Sequence, residues 1–487
     1  MSVFTLEAGL ALLGLVLLMI EAFKPDISRR TLGLTAIAGT AIALVLLPFC
    51  GASLPAFMQP WHQIDTLALF YKGFSLVITL LVLWLTLECS PYLTKFTLDG
   101  KLAEMFSLPL IVCSGMMWMA SARDLVTVFV PLELVTVSFY VLVAFARKSS
   151  FSLEAGVKYL ILGALSTGVL VYGIAWIYGA TGSMSFEGIA KALGNPATSK
   201  PAALFGAAMI LAGLGFKVAA APFHMWVPDV YQGAPTPVTA FLSVGSKAAG
   251  FVVLTRALDA FLAEGSLIGT EIQAMLLVTG SLTVLLGSLP AMFLTSVKRL
   301  LAYSSISHAG YLLLALACRD SARVDLASGG VVAFYLATYL PMTVIGFLGL
   351  GLMRANGLGE DIKDFTGLAR RNPLLALVMT LSFASLAGLP LTAGFLGKLF
   401  VFLGLADHGY WGALTCAIVA AAAGFYYYFK TVLAIYTTEG TDTPALPLGV
   451  ATKAVAGLLA VTIVVLGVYP KPLQKVLMPA SAAVVAK

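Results

Sequence analysis

Runs of about twenty apolar residues, separated by short polar connections, constrain this 487-residue chain more than any other feature. A run of that length spans a bilayer as a helix. Inside hydrocarbon, backbone polar groups must be satisfied within the segment, so only helices and closed barrels cross. About fourteen candidate spans follow, near 3–23, 31–49, 66–87, 103–120, 124–146, 155–178, 202–221, 236–260, 271–293, 298–318, 328–353, 372–405, 410–436 and 449–469. Only 11% of the residues are charged and 60% are hydrophobic, whereas a soluble domain carries about 25% charged residues. The expected fold class is therefore all-α, a polytopic membrane protein with no room for a large soluble domain.

The net charge of +6 is not a nucleic-acid signal, because the basic residues lie in short loops between apolar runs. Loops after odd-numbered spans hold thirteen Lys and Arg, and loops after even-numbered spans hold six. The positive-inside bias turns the odd loops toward the cytoplasm and both termini toward the periplasm. The tail residues Lys471, Lys475 and Lys487 run against that bias. The first apolar run ends at Glu21 with no small-residue cleavage site, so it reads as a span and not as a signal peptide.

Two segments interrupt their own helices. In Gly213–Pro237 the prolines Pro222, Pro228, Pro235 and Pro237 each remove a backbone donor. In Leu386–Lys398, Gly388, Pro390 and Gly394 should unwind the middle of the twelfth span, which is too long for one straight helix. Paired interruptions in two halves of a membrane chain point to a transport site built from repeats. The expected organisation is a three-helix segment (1–100), a first five-helix repeat (101–262, spans four to eight), a second repeat (263–440, spans nine to thirteen) and a last helix with its tail (441–487). Five spans per repeat is odd, so the second copy is inverted. The broken helices are the seventh and twelfth spans, and they carry Lys217 and Lys398.

Five titratable residues sit deep in apolar segments: Glu133, Lys217, Lys247, His308 and Lys398. Each costs about 2.5–3.5 kcal/mol on insertion scales, so a chain that carries them is using them. Passing protons across the membrane is the natural use. Glu133 lies nine residues after Asp124, about 14 Å into its helix. A lone carboxylate there goes neutral unless an ammonium stands by, and repeat logic nominates Lys217. Lys247 lies too deep to snorkel, and small neighbours (Ser243, Gly245, Ser246) leave room for water. Tyr303, Ser304, Ser307, His308 and Tyr311 form one polar stripe on a helix, suited to a hydrogen-bonded chain around an imidazole. Lys158, at i,i+4 from Glu154, is the shallowest member and can snorkel. His224 follows Pro222 in the first break. His62 and His408 fall in loops and receive no role.

The five cysteines show no metal or cluster spacing. There is no Walker motif and no dinucleotide fingerprint. The expectation is a chain without cofactor or metal of its own.

The stretches Glu154–Tyr159, Gly213–Pro237, Lys298–Tyr311 and Leu386–Lys398 resemble the antiporter-like membrane subunits of proton-pumping NADH:quinone oxidoreductase, respiratory complex I. Phe223-His-Met-Trp-Val-Pro-Asp-Val-Tyr-Gln-Gly-Ala-Pro235 is highly specific to that superfamily. Within it the chain looks most like subunit N, the bacterial counterpart of mitochondrial subunit 2. The resemblance implies half-channels joined by a buried relay, with Glu133, Lys158, Lys217, Lys247 and Lys398 matching family positions in residue type. It implies FMN, iron–sulfur clusters and NADH in partner subunits, quinone at another subunit, and antiporter-like and small membrane subunits as neighbours in a bacterial inner membrane. Two alternatives share this fold: a subunit of a multi-subunit cation/proton antiporter or membrane-bound hydrogenase, and a structural spacer with no proton path.

Overall fold

A computed structural model describes residues 2–24, 26–51, 55–97, 99–319, 323–437 and 446–478. The expected tail residue Lys487 and the expected boundary at 440/441 lie outside them. Helices run in chain order as α1 (Val3–Phe23), α2 (Arg29–Leu46), α3 (Thr66–Leu93), α4 (Ala103–Ser121), α5 (Leu125–Val143), α6 (Ser150–Thr181), α7 (Phe186–Leu193), α8 (Lys200–Val218), α9 (Trp226–Gly233) and α10 (Thr236–Phe241). They continue as α11 (Lys247–Phe261), α12 (Gly269–Ser288), α13 (Val297–Ala317), α14 (Ser328–Ala355), α15 (Leu368–Arg371), α16 (Pro373–Ala387), α17 (Ala393–Asp407), α18 (Trp411–Tyr436), α19 (Val450–Val468) and α20 (Lys471–Leu477). Among the described residues, β-structure is confined to isolated bridges.

Thirteen helices among the described residues are long and apolar enough to cross a membrane. The remaining expected span, 372–405, is divided into α16 and α17. Polar side chains fix where helices begin. Asp65 Oδ1 accepts from the Ala68 N–H, and Asp124 and Thr127 cap each other's backbone at the head of α5. Such caps satisfy amide groups that the first helical turn leaves free.

The chain divides into two compact units. The first comprises Met1–Trp226 and Gly233–Thr279. Within it α6 and α8 touch backbone to backbone: a Cβ on Gly173 would fall 2.8 Å from the Gly206 carbonyl, and one on Gly206 3.0 Å from that of Gly173. Small residues are what permits this approach in a membrane, where apolar surface alone does not drive helices together. The second unit comprises Val227–Gln232 and Gly280–Lys487. Its helices α13 and α14 are enclosed, with 94% of each apolar window buried, whereas α19 shows only 22%. The helix bearing the polar stripe, α13, is thus an interior one.

The four prolines of the first break do not act alike. Only Pro222 lies in the unwound stretch after Val218. Pro228 stands in the first turn of α9, Pro235 caps α10 and Pro237 opens it. At those positions the missing N–H has no partner to lose.

Candidate functional site

In the first unit, Glu133 and Lys217 approach to 3.8 Å between Oε1 and Nζ, with the Lys217 side chain 6% and the Glu133 side chain 25% exposed. Pro131, two residues before Glu133, stands inside α5. Thr167 of α6 donates to Glu133 Oε1 at 2.8 Å, and Lys217 donates to Thr136 Oγ1 at 2.7 Å. The hydroxyl of Thr136 lies one turn beyond Glu133 on the same helix. The α6–α8 glycine contact therefore matters here, because it draws the helix bearing Thr167 against the helix bearing Lys217. Lys217 is the penultimate residue of α8, whose C-cap Ala219 adopts a left-handed conformation (φ 66°). The end of a helix collects unbonded carbonyls and partial negative charge, a favourable setting for an ammonium.

Beyond the break, the Trp226 indole stacks on Tyr159 at 4.8 Å and donates to the Phe216 carbonyl at 2.9 Å. His224 lies half-buried in the unwound stretch. Its Nδ1 is buried and has no hydrogen-bond partner. Lys158 pairs with Glu154 at 2.7 Å, and both side chains are exposed (42% and 59%). It stands apart in its exposure from Lys217, whose ammonium is buried.

Lys247 is 2% exposed and begins α11 directly after a five-residue π-helical stretch, Leu242–Ser246. A π turn inside an α-helix commonly marks a functional position, and nothing in the residue pattern announced this one. Gly245 does not open space there, because an added Cβ would meet the Phe241 ring at 2.7 Å. The space expected from its small size is filled by that ring.

In the second unit, His308 is 3% exposed and held at both ring nitrogens. Nδ1 lies 2.7 Å from the Tyr335 hydroxyl and Nε2 3.3 Å from that of Tyr428. Tyr428 in turn bonds Ser304, and Ser307 bonds Ser288 at 2.7 Å. The expected stripe on α13 is thus completed by tyrosines from α14 and α18, which a reading along one helix cannot find. A tyrosine hydroxyl both donates and accepts, so this cage suits either imidazole tautomer.

Lys398 occupies α17 and donates to the carbonyls of Leu386 and Ala387, each at 2.9 Å. These are carbonyls at the C-terminal end of α16, which the break leaves without helical partners. Its ammonium also lies 5.4 Å from the centre of the Tyr311 ring. The turn is built by Gly388, at φ 95°, and by Gly394, whose N–H donates to Ser385 Oγ at 3.1 Å. A Cβ on Gly394 would lie 1.9 Å from the Ser385 carbonyl oxygen. The interruption therefore supplies the lysine's ligands as well as bending the chain. Among the described residues no group of three or more His, Cys, Asp or Glu could hold a metal ion.

Residues 122–424, which include Glu133, Lys158, Lys217, His224, Lys247, His308 and Lys398, match the transmembrane family of the NADH:quinone oxidoreductases and Mrp antiporters. The chain belongs to that family. It is 38% identical over 504 residues to the NADH-quinone oxidoreductase subunit N of Desulfitobacterium hafniense, spanning 100% of this chain and 99% of the relative. It is 36% identical over 477 residues to the subunit N of Desulforamulus reducens, spanning 98% and 97%. Among solved structures it is similar to a chain of respiratory complex I from Thermus thermophilus, with a TM-score of 0.80 and 31% identity over 98% of this chain and 100% of that one. This family member is therefore of the subunit N type.

Proposed function

We propose that this chain is a proton-translocating membrane subunit of an NADH:quinone oxidoreductase. NADH oxidation and quinone reduction take place in partner subunits, which carry the FMN and iron–sulfur clusters. This chain contributes no redox centre. It lies in the bacterial inner membrane, with both termini on the periplasmic side, beside antiporter-like and small membrane subunits of the same complex.

In this reading Glu133 and Lys217 form a switching pair. When Lys217 is charged, the carboxylate is held as its counter-ion. When the proton leaves Lys217, the pair loses its attraction and the proton affinities of both groups change. Lys247 and His308 carry charge along the chain, His224 serves the first break, and Lys398 exchanges its proton at the second. Lys158 is a peripheral member. The single observation that carries this reading is the Glu133–Lys217 pair at 3.8 Å, a buried ammonium facing a half-buried carboxylate. A purely structural bridge gains little from being buried in a membrane.

Replacing Lys217 with Met in the assembled complex tests it. The expected result is normal assembly and a fall in protons moved per NADH oxidised. Unchanged pumping in a fully assembled complex would leave only the structural spacer.

A further inference from the structure

The N-terminal helices hold a second buried ion pair that the site above does not use. Glu7 stands one turn into α1 and Lys72 nearly two turns into α3, at 3% and 1% exposure. The Lys72 ammonium bonds the Glu7 carboxylate. It also donates to the Met117 carbonyl at 2.9 Å and to Ser121 Oγ at 3.0 Å. All three donors of the ammonium are therefore engaged.

This pair is connected outward. Ser121 is the last residue of α4, and its hydroxyl lies 3.4 Å from His62 Nδ1 in the loop before α3. At the same ends of these helices a cavity of about 370 Å³ is lined by Gln63, Arg123, Ser185, Glu187, Arg256 and Asp259. From it Arg256 reaches inward to both oxygens of Asp65, at 3.1 and 2.9 Å, and to the carbonyl of Ala120, the neighbour of Ser121. Tyr71 Oη, adjacent to Lys72 in sequence, is buried without a hydrogen-bond partner. A buried hydroxyl so placed calls for an ordered water. Beyond Glu7, the charged groups acting on Lys72 are Arg256 of α11 and Asp65 at the head of α3, while Lys72 and Asp124 at the head of α5 act on His62.

A fastening between α1 and α3 would not need this string of exchangeable groups. Apolar side chains fasten helices as well as a buried ion pair does, without its desolvation cost. We propose that Glu7 and Lys72 form a proton-holding site, separate from Glu133 and Lys217, that loads from the membrane face bearing the cavity. A proton arriving from water is taken by His62; Ser121 Oγ accepts it and gives its own hydroxyl proton to Lys72 as Lys72 passes one N–H proton to Glu7, so an O–H bond forms on Glu7 and the ammonium is restored. The empty site is the neutral ion pair. The loaded site is a carboxylic acid beside an ammonium and carries one more positive charge.

The inference adds a site to the proton-translocating reading, and the same experiment separates the two. The assembled complex is reconstituted in vesicles as the Glu7→Gln/Lys72→Met double variant, which removes both charges together, and beside it as Lys217→Met. The double variant is expected to oxidise NADH, to move fewer protons per NADH, and to lose a carboxyl stretching band from the infrared difference spectrum taken during turnover. Wild-type pumping and an unchanged spectrum in the double variant, with pumping impaired in Lys217→Met, would overturn this site alone. Unimpaired pumping in both variants would overturn both readings. Should the double variant fail to assemble, Ser121→Ala and His62→Gln leave the pair in place and cut its connection. They are expected to slow the appearance of the same band, and unchanged kinetics in both would overturn the proposal.

Discussion

Substituting Gly394 with Ala is the sharpest test of how the second break holds Lys398. The new Cβ would lie 1.9 Å from the Ser385 carbonyl oxygen and 2.9 Å from Met342 Sδ. The methionine can turn aside, but the carbonyl belongs to the backbone at the end of α16 and cannot. To reach ordinary contact the two chains must part by roughly 1 Å or more. That movement breaks the Gly394 N–H to Ser385 Oγ bond and displaces the adjacent carbonyls of Leu386 and Ala387, the two acceptors of Lys398. Overpacking costs about 1–3 kcal/mol and a lost hydrogen bond about 0.5–1.5 kcal/mol, so about 2–4 kcal/mol is expected. The control is Gly457→Ala in α19, where an added Cβ meets nothing within 4 Å. Thermal unfolding of the purified complex, followed through this subunit, should show Gly394→Ala melting well below wild type and the control unchanged or slightly higher. Proton pumping should fall only in the first. Wild-type melting and pumping in Gly394→Ala would refute the reasoning, because the turn would then tolerate a side chain where the geometry allows none.

Three further outcomes follow from the geometry. Thr136→Val keeps the shape of the side chain but removes the acceptor of Lys217; a hydrogen bond to a charged group contributes about 1.5–3 kcal/mol, so vesicle measurements should show slowed pumping with little change in assembly. Tyr335→Phe deletes the partner of His308 Nδ1, and it should lower pumping where Tyr303→Phe, on the half-buried edge of the same stripe, does not. Burial alone would raise the Asp65 carboxyl, but hydrogen bonds and charge from Arg256, and the Ala68 N–H, hold it below the ordinary carboxylate range. A depressed carboxyl stabilises the fold above its unfolded value near about 4, and that contribution fades as pH falls through the folded value. Asp65→Asn should therefore flatten the acid limb of a melting-temperature profile below about pH 4, and an unaltered limb would remove Arg256 as the cause.

The number of spans and the positions of Glu133, Lys217, His308 and Lys398 were legible because a membrane leaves few places for polar atoms. A charge amid twenty apolar residues has no soluble surface to explain it. The division of the twelfth span was legible for the same reason, since Gly388, Pro390 and Gly394 crowd one turn. Partners on other helices were not legible: Tyr335 and Tyr428 read as ordinary aromatic residues until α13, α14 and α18 are packed. Glu7 and Lys72 escaped because each lies within two turns of a helix end, where a charge ordinarily reaches the interface. One signal was available. A lysine six residues inside a span can snorkel, but a glutamate and a lysine near the same face can also meet. Three of the four prolines in the first break proved to be helix openers, a distinction that composition does not draw.

The π-helical stretch at Leu242–Ser246 carries one residue more than an α-helix needs for the same turn. Each residue advances an α-helix by about 100° of rotation. Residues before the stretch and residues from Lys247 onward therefore follow two different angular settings along one continuous rod. The glove-tight packing of Phe241 against Gly245 and the aim of the Lys247 ammonium can be adjusted separately. Deleting a single residue from the stretch would swing that ammonium to a new bearing while leaving every other side chain in the helix chemically intact.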